Sequence, residues 1–145
     1  MPSKFRRPVS VLVVVLSGDG KTLVLKRAQP FSFWQSVTGS LHASESHADA
    51  ARRELAEETG LTDEGVLSYS GVSRQFVIDA RWRDRFAPGV VENVEFEWHY
   101  RVTGPVDIRL DDVEHTAYEW MPLGRAVETV WSWTNKAALR SLATT

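Results

Sequence analysis

The 145-residue chain contains no cysteine. That excludes disulfides, thiolate nucleophiles, cysteine-ligated zinc and iron–sulfur clusters, and it gives no sign of an oxidising compartment. Long apolar runs are missing too. The longest, "VSVLVVVL" from Val9 to Leu16, is far below the roughly 18 residues of a membrane span, and polar residues follow it at once. Neither sign of charge dominates: a net charge of -2 and a pI near 6.1 leave no overall basic field of the kind that holds nucleic-acid polymers. An anionic ligand must therefore be met by local groups. His42, His47, His99 and His115 fall at no HExxH or other ligand spacing and read as surface or hydrogen-bonding residues. Repeats, low-complexity tracts and long linkers are absent. The expectation is a soluble, cytoplasmic protein that takes neither a membrane nor a nucleic-acid polymer as partner.

What is present suits one globular domain over residues 1–145, with 43% hydrophobic residues to build its core. β-Branched Val9 to Leu16, the glycine-aspartate stretch "SGDGK" and the run "TLVLKR" predict a β-hairpin. From Val94 to Val102, "VEFEWHYRV" alternates. It predicts a half-buried strand with Val94, Phe96, Trp98, Tyr100 and Val102 inside and Glu95, Glu97, His99 and Arg101 outside. Ser46 to Glu58 predicts a helix, capped by Ser46, complemented by Asp49 and stopped by Gly60, with Ala48, Ala51 and Leu55 facing a sheet. A last helix starts near Ser132 or Thr134 and runs through "NKAALRSL". Most of the six tryptophans are expected in the core. The class is α+β, a mixed sheet with helices packed around it.

Within "RRELAEETGL", Glu54, Glu57 and Glu58 stand at i, i+3 and i+4, so their carboxylates share one arc near the helix C-terminus. Each like-charged pair there costs about 0.2–0.5 kcal/mol, and the negative end of the helix dipole adds to it. A bound divalent cation would turn that liability into a site, because magnesium takes hard oxygen ligands and bridges carboxylates to phosphate. A solvated acidic face, eased by Arg52 and Arg53, explains the triplet alone equally well.

The surrounding residues add specificity. In "GSLHASESHADAARRELAEETGL", Gly39, Glu45, Arg53, Glu54, Leu55, Glu57, Glu58, Gly60 and Leu61 stand at set spacing. The stretch, residues 39–61, resembles the Nudix box at every defined position, a far more specific signal than a lone GxGxxG. The segments "RRPVSVLVVV", "FWQSVTGS", "RFAPGV", "EHTAYEWM" and "WSWTNKAAL" extend the resemblance to a bacterial subgroup, the dihydroneopterin triphosphate pyrophosphohydrolases. Many Nudix proteins enter the box through Pro-Gly-Gly. Here it is Thr38-Gly39-Ser40, as in the subgroup.

The resemblance implies a Nudix fold, a mixed β-sheet sandwiched between helices (α/β/α). It also implies hydrolysis of dihydroneopterin triphosphate to the monophosphate and pyrophosphate in folate biosynthesis, with (d)NTPs such as dATP as further substrates. Magnesium is the implied cofactor, with manganese able to substitute. Glu54 and Glu58 are expected as metal ligands, with Glu57 a third ligand or water-holding group, and the Gly39 carbonyl matches a ligating position. Glu114 of "EHTAYEW" matches the downstream acid that joins the metal site, so Glu57 and Glu114 are the catalytic candidates. Glu95 and Glu97 stand behind them. Arg53 and Glu45 match structural positions that tie loop to helix, and Gly39 and Gly60 complete the structural set of the box.

Arg6, Arg27, Thr38, Ser132 and the run Phe76, Val77, Ile78, Asp79 match substrate-contacting positions. Soluble surface explains the two arginines, a helix cap explains Ser132, and an ordinary strand explains "QFVID" in a rival reading. The implied partner is a small-molecule triphosphate, bound by a monomer or small homo-oligomer. Two alternatives stay open: another Nudix specificity, such as dinucleoside polyphosphates or ADP-ribose, and a non-catalytic Nudix-fold binding module.

Overall fold

The computed structural model describes residues 5–144. β1 (Val9–Ser17) is apolar without a break from Val11 to Leu16 because both its faces are covered: Val11, Val13 and Val15 enter one core cluster, Leu12, Val14 and Leu16 another. It turns into antiparallel β2 (Lys21–Arg27), which pairs with β3 (Phe33–Gln35). β4 (Val37–Ser40) then lies antiparallel on β1, from Ser10↔Ser40 to Val13↔Val37. After α1 (His47–Thr59) come β5 (Val66–Val77), a 3-10 helix (Ala80–Arg85), β6 (Glu92–Val102), β7 (His115–Pro122), α2 (Leu123–Thr129) and α3 (Trp133–Ala143).

The strand order is β3-β2-β1-β6-β5, with β4 also on β1 and β7 on β2. Only β1 and β6 run parallel among these named pairs, so the sheet is mixed. Ala50, Ala51 and Leu55 of α1 pack into the first cluster, and Ala126, Ala138 and Leu139 of α2 and α3 into the second. That makes three layers, α/β/α. Among the described residues no helix is long and apolar enough to cross a membrane.

Helix ends follow their local chemistry. Ser46 accepts from the Asp49 N–H at 3.1 Å, and Gly60 ends α1 at φ 78°, a left-handed conformation that glycine adopts without strain. Ser132 caps α3 by accepting from the Asn135 N–H at 3.1 Å. Asn135 is itself buried: its Oδ1 accepts from the Ser36 N–H at 2.8 Å and its Nδ2 donates to Ser36 Oγ at 2.9 Å. One amide side chain thus ties α3 to the β3–β4 junction.

Two expectations need correction. Glu95 and Glu97 do not lie on a solvated face; they are 6% and 4% exposed. β6 is an inner strand, flanked by β1 and β5, and α3 covers the side that alternation marked as polar. Glu97 is answered by Arg74 and His99, each at 2.6 Å. Glu95 keeps one oxygen, Oε1, with no hydrogen-bond partner, and burial pushes its carboxyl up to about 7 against the pull of Thr134 and Arg74. Only half of the tryptophans pack with the core, Trp98 in the first cluster with Trp120 against it and Trp34 against the second. Trp98 is buried, Trp34, Trp82 and Trp120 are half-buried, and Trp131 and Trp133 are exposed.

Two stability changes follow. Asn135→Ala strands the Ser36 amide and should lower the unfolding free energy by about 1–3 kcal/mol in urea titrations. Glu95 is raised in the fold, so its stabilising neutral form is fully present below the unfolded value of 4.5 and is lost as pH rises towards about 7. Glu95→Gln should therefore match the parent near pH 4 and exceed it by up to about 3 kcal/mol near pH 8, as read by thermal melts across pH.

Candidate active site

The loop between β4 and α1 is shaped by two arginines. Arg7 Nη1 donates to the His42 carbonyl at 2.7 Å, and the His42 N–H donates to Glu45 Oε1 at 2.9 Å. Arg53, midway along α1, grips the same carboxylate with Nε at 2.8 Å and Nη2 at 2.9 Å. That paired contact is the first reason the Glu45 carboxyl is held down at about 2, and it raises Arg53 in turn. The other Nη2 hydrogen reaches the Ser40 carbonyl at 3.1 Å, and Nη1 donates to Glu54 at 2.7 Å and to Glu57 at 3.2 Å.

The three box glutamates differ in setting. Glu57 is 53% exposed, Glu54 is 13% exposed, and Glu58 is buried at 2%. A Cβ placed on Gly39 would lie 2.2 Å from the Glu54 carboxyl carbon, so only glycine in β4 lets that carboxylate settle against the strand. Both Glu58 oxygens lack a hydrogen-bond partner. Burial first, then Glu54 and Glu114, push its carboxyl well above the usual range.

Glu114 and His115 enter from the start of β7. Their ligand atoms and those of Glu58 all lie within 4.8 Å of one another, and His115 Nε2 is 3.5 Å from Glu58 Oε1. His115 is only 1% exposed, so of the surface and hydrogen-bonding readings the surface one fails, and burial lowers its pKa, favouring the uncharged imidazole. Its adjacency to Glu114 was the one signal in the sequence. The donor set fits a hard divalent cation: two orphaned buried oxygens on Glu58, the neighbouring acids Glu54 and Glu114, and a neutral imidazole.

Cations lie within electrostatic reach of this group. Arg6 is an exposed residue, yet protein crowding around its guanidinium, and then Arg85, lower its pKa, with Glu114, Arg27 and Glu54 also within electrostatic reach. The Arg6 N–H donates to the Arg85 carbonyl at 2.8 Å. Arg27 pairs with His115 across β2 and β7 and is half-buried, not exposed, with its Nε unpartnered. Arg85, at the end of the 3-10 helix, opens the segment "RFAPGV" but was not among the site residues expected from the sequence.

The remaining candidates lie on other elements. Thr38 donates its hydroxyl to the Val11 carbonyl at 2.8 Å. Phe76 and Val77 end β5, Ile78 is buried, and Asp79 caps the 3-10 helix while pairing with Arg81 at 2.9 Å. Ser132 is occupied as the α3 cap.

A family model described as the NUDIX domain matches residues 6–142. Dihydroneopterin triphosphate diphosphatase of Escherichia coli strain K12 is 36% identical over 139 residues, covering 93% of this chain and 91% of the relative. The protein of that name in Haemophilus influenzae is 30% identical over 141 residues, covering 94% and 88%. The solved structure of the E. coli dihydroneopterin triphosphate pyrophosphohydrolase superposes with a TM-score of 0.91 at 33% identity, covering 98% of this chain and 99% of the other. With a matched domain over nearly the whole chain and relatives aligned almost end to end, this chain belongs to the Nudix hydrolase family.

Proposed function

We propose that the chain cleaves dihydroneopterin triphosphate to dihydroneopterin monophosphate and pyrophosphate, in folate biosynthesis, with dATP and other (d)NTPs as further substrates. The substrate class is carried over from the two bacterial relatives named above. The observation that carries the chemistry is Glu58, a buried carboxyl with two unpartnered oxygens among Glu54, Glu114 and His115, inside a rim formed by Arg6, Arg27 and Arg85. An acid cluster within a basic rim suits a cation bridged to a polyphosphate.

In this reading Glu54, Glu58 and Glu114 hold magnesium, or manganese in its place, with Glu57, His115 and the Gly39 carbonyl able to complete the set. When bound, the metal neutralises phosphate oxygens and acidifies the attacking water. The chain does the positioning. Arg53 keeps Glu54 and Glu57 in fixed rotamers despite their mutual repulsion. Glu57 and Glu114 are the exposed acids of the group, and we assign the proton of the attacking water to this pair. Water adds across one phosphoanhydride, its proton passes to the carboxylate, and pyrophosphate departs with the bond electrons. Arg6 and Arg27 grip the phosphate oxygens.

Glu58→Gln should lower metal-dependent pyrophosphate release by more than about 100-fold with an unchanged circular dichroism spectrum. Turnover equal to the parent, or activity that persists in EDTA, would overturn the metal assignment. Gly39→Ala should cost about 100-fold in kcat/KM, because the new methyl displaces the Glu54 carboxylate. Product assays with dihydroneopterin triphosphate, dATP and ADP-ribose side by side check the substrate, and a strong preference for ADP-ribose would defeat the pterin reading.

A further inference from the structure

Arg7 lies outside residues 39–61, yet its guanidinium is built into their loop. It stands on a segment pinned from both sides. The Arg6 N–H donates to the Arg85 carbonyl at 2.8 Å, the Val94 N–H to the Pro8 carbonyl at 3.0 Å, and the Leu41 N–H to the Val9 carbonyl at 2.9 Å. From this base Nη1 donates to the His42 carbonyl at 2.7 Å and reaches the Glu45 carbonyl at 3.4 Å. Those carbonyls belong to the first and last residues of one turn, which also closes on itself through the Glu45 N–H and the His42 carbonyl at 3.1 Å. Among the described residues Arg7 makes no ion pair, so its hydrogen bonds go to the backbone of this turn instead of to an acid.

The turn needs holding. Ser44, inside it, lies at φ 63°, a left-handed conformation that penalises a residue with a side chain and suits glycine. A residue in such a conformation relaxes unless its surroundings over-determine it. What depends on this turn is Glu45. Its carboxylate accepts from the His42 N–H at 2.9 Å within the turn and from Arg53 Nε and Nη2 at 2.8 and 2.9 Å across to α1. Arg53 in its turn donates to Glu54 and Glu57.

We propose that Arg7 is a positioning residue for the metal acids. By clamping the strained His42–Glu45 turn it keeps Glu45 on Arg53, and through Arg53 it holds Glu54 and Glu57 at the spacing that a divalent cation needs. The inference rests on the metal reading above and assigns part of that geometry to a residue that precedes β1. Arg7 touches neither metal nor substrate in this scheme.

Two measurements test it, one of them without metal. Solvent exchange of the Arg53 Nε–H, followed by NMR in EDTA, reads the Glu45 contact directly, and it should speed up about 10-fold in Arg7→Ala. Mn²⁺ affinity, read by electron paramagnetic resonance with no substrate present, should fall about 10-fold in the same variant. Adding Ser44→Gly to Arg7→Ala should restore most of both, because glycine holds φ 63° without a clamp. Arg7→Lys, which keeps a charged donor on a shorter reach, should fall between the parent and Arg7→Ala.

Unchanged Arg53 exchange in Arg7→Ala would overturn the clamp. Faster exchange with unchanged Mn²⁺ affinity would overturn its role towards the acids. A loss that Ser44→Gly leaves in place would also overturn the proposal, since the strained turn is the step through which Arg7 acts. A parent that binds no Mn²⁺ would defeat the metal reading instead, and the Arg53 exchange would still decide whether Arg7 clamps the turn.

Discussion

The guanidinium of Arg53 is the constraint on which the site depends. Each of its N–H groups has an acceptor: Nε and one Nη2 hydrogen on Glu45, the second on the Ser40 carbonyl, and the Nη1 pair on Glu54 and Glu57. That is the full donor capacity of the side chain. One residue thus fixes the loop after β4 to the helix and offsets the repulsion between two acids placed at the unfavourable end of α1. Lysine could not do this, because its ammonium is a point charge without the planar fork that matches Glu45 at two atoms. A 20% exposed guanidinium is also less screened by salt than a surface pair.

Arg53 reaches Glu54 and Glu57 but not Glu58, and the difference organises the chemistry. Glu58 faces Glu114 and His115 with its oxygens unanswered, so the chain leaves unsatisfied the group best suited to a cation. Glu95 repeats the pattern on the opposite face of the sheet. Both carboxyls are raised chiefly by burial, and both weaken the fold at neutral pH in the ligand-free state. The stability that offsets them comes from β1, covered on both sides, and from the two apolar clusters that it joins.

Much of the fold was legible because its signals are local. The turn at "SGDGK", the Ser46 and Ser132 caps and Gly60 act within a few residues of themselves, and their elements appear where local chemistry puts them. β5 was harder to read. It is an edge strand with Val66 and Val77 at 69% and 65% exposure and a register shift between Tyr69 and Ser73, so burial imposes no clean alternation on it. α2 is a single short helix without a side-chain cap. The charged residues of β6 misled for the opposite reason: alternation was read as inside against water, whereas the strand lies between two helical layers and its polar side is a buried network. His115 and Arg85 come to their places beside the acids and Arg6 through strand pairing and chain folding that no spacing in the sequence encodes.

Strand parity decides what β4 presents to each face of the sheet. Successive residues of a β-strand face opposite sides of the sheet, and β4 uses this at Thr38 and Gly39. Gly39 pairs with Val11, which belongs to the cluster on the α1 side, while Thr38 pairs with Leu12, which belongs to the cluster under α2 and α3. The acids of α1 and the polar bank of β6 therefore belong to opposite faces of the sheet, and β4 contributes to both. A side chain at residue 39 would push on Glu54 on the α1 face, one residue from the Thr38 side chain on the other face.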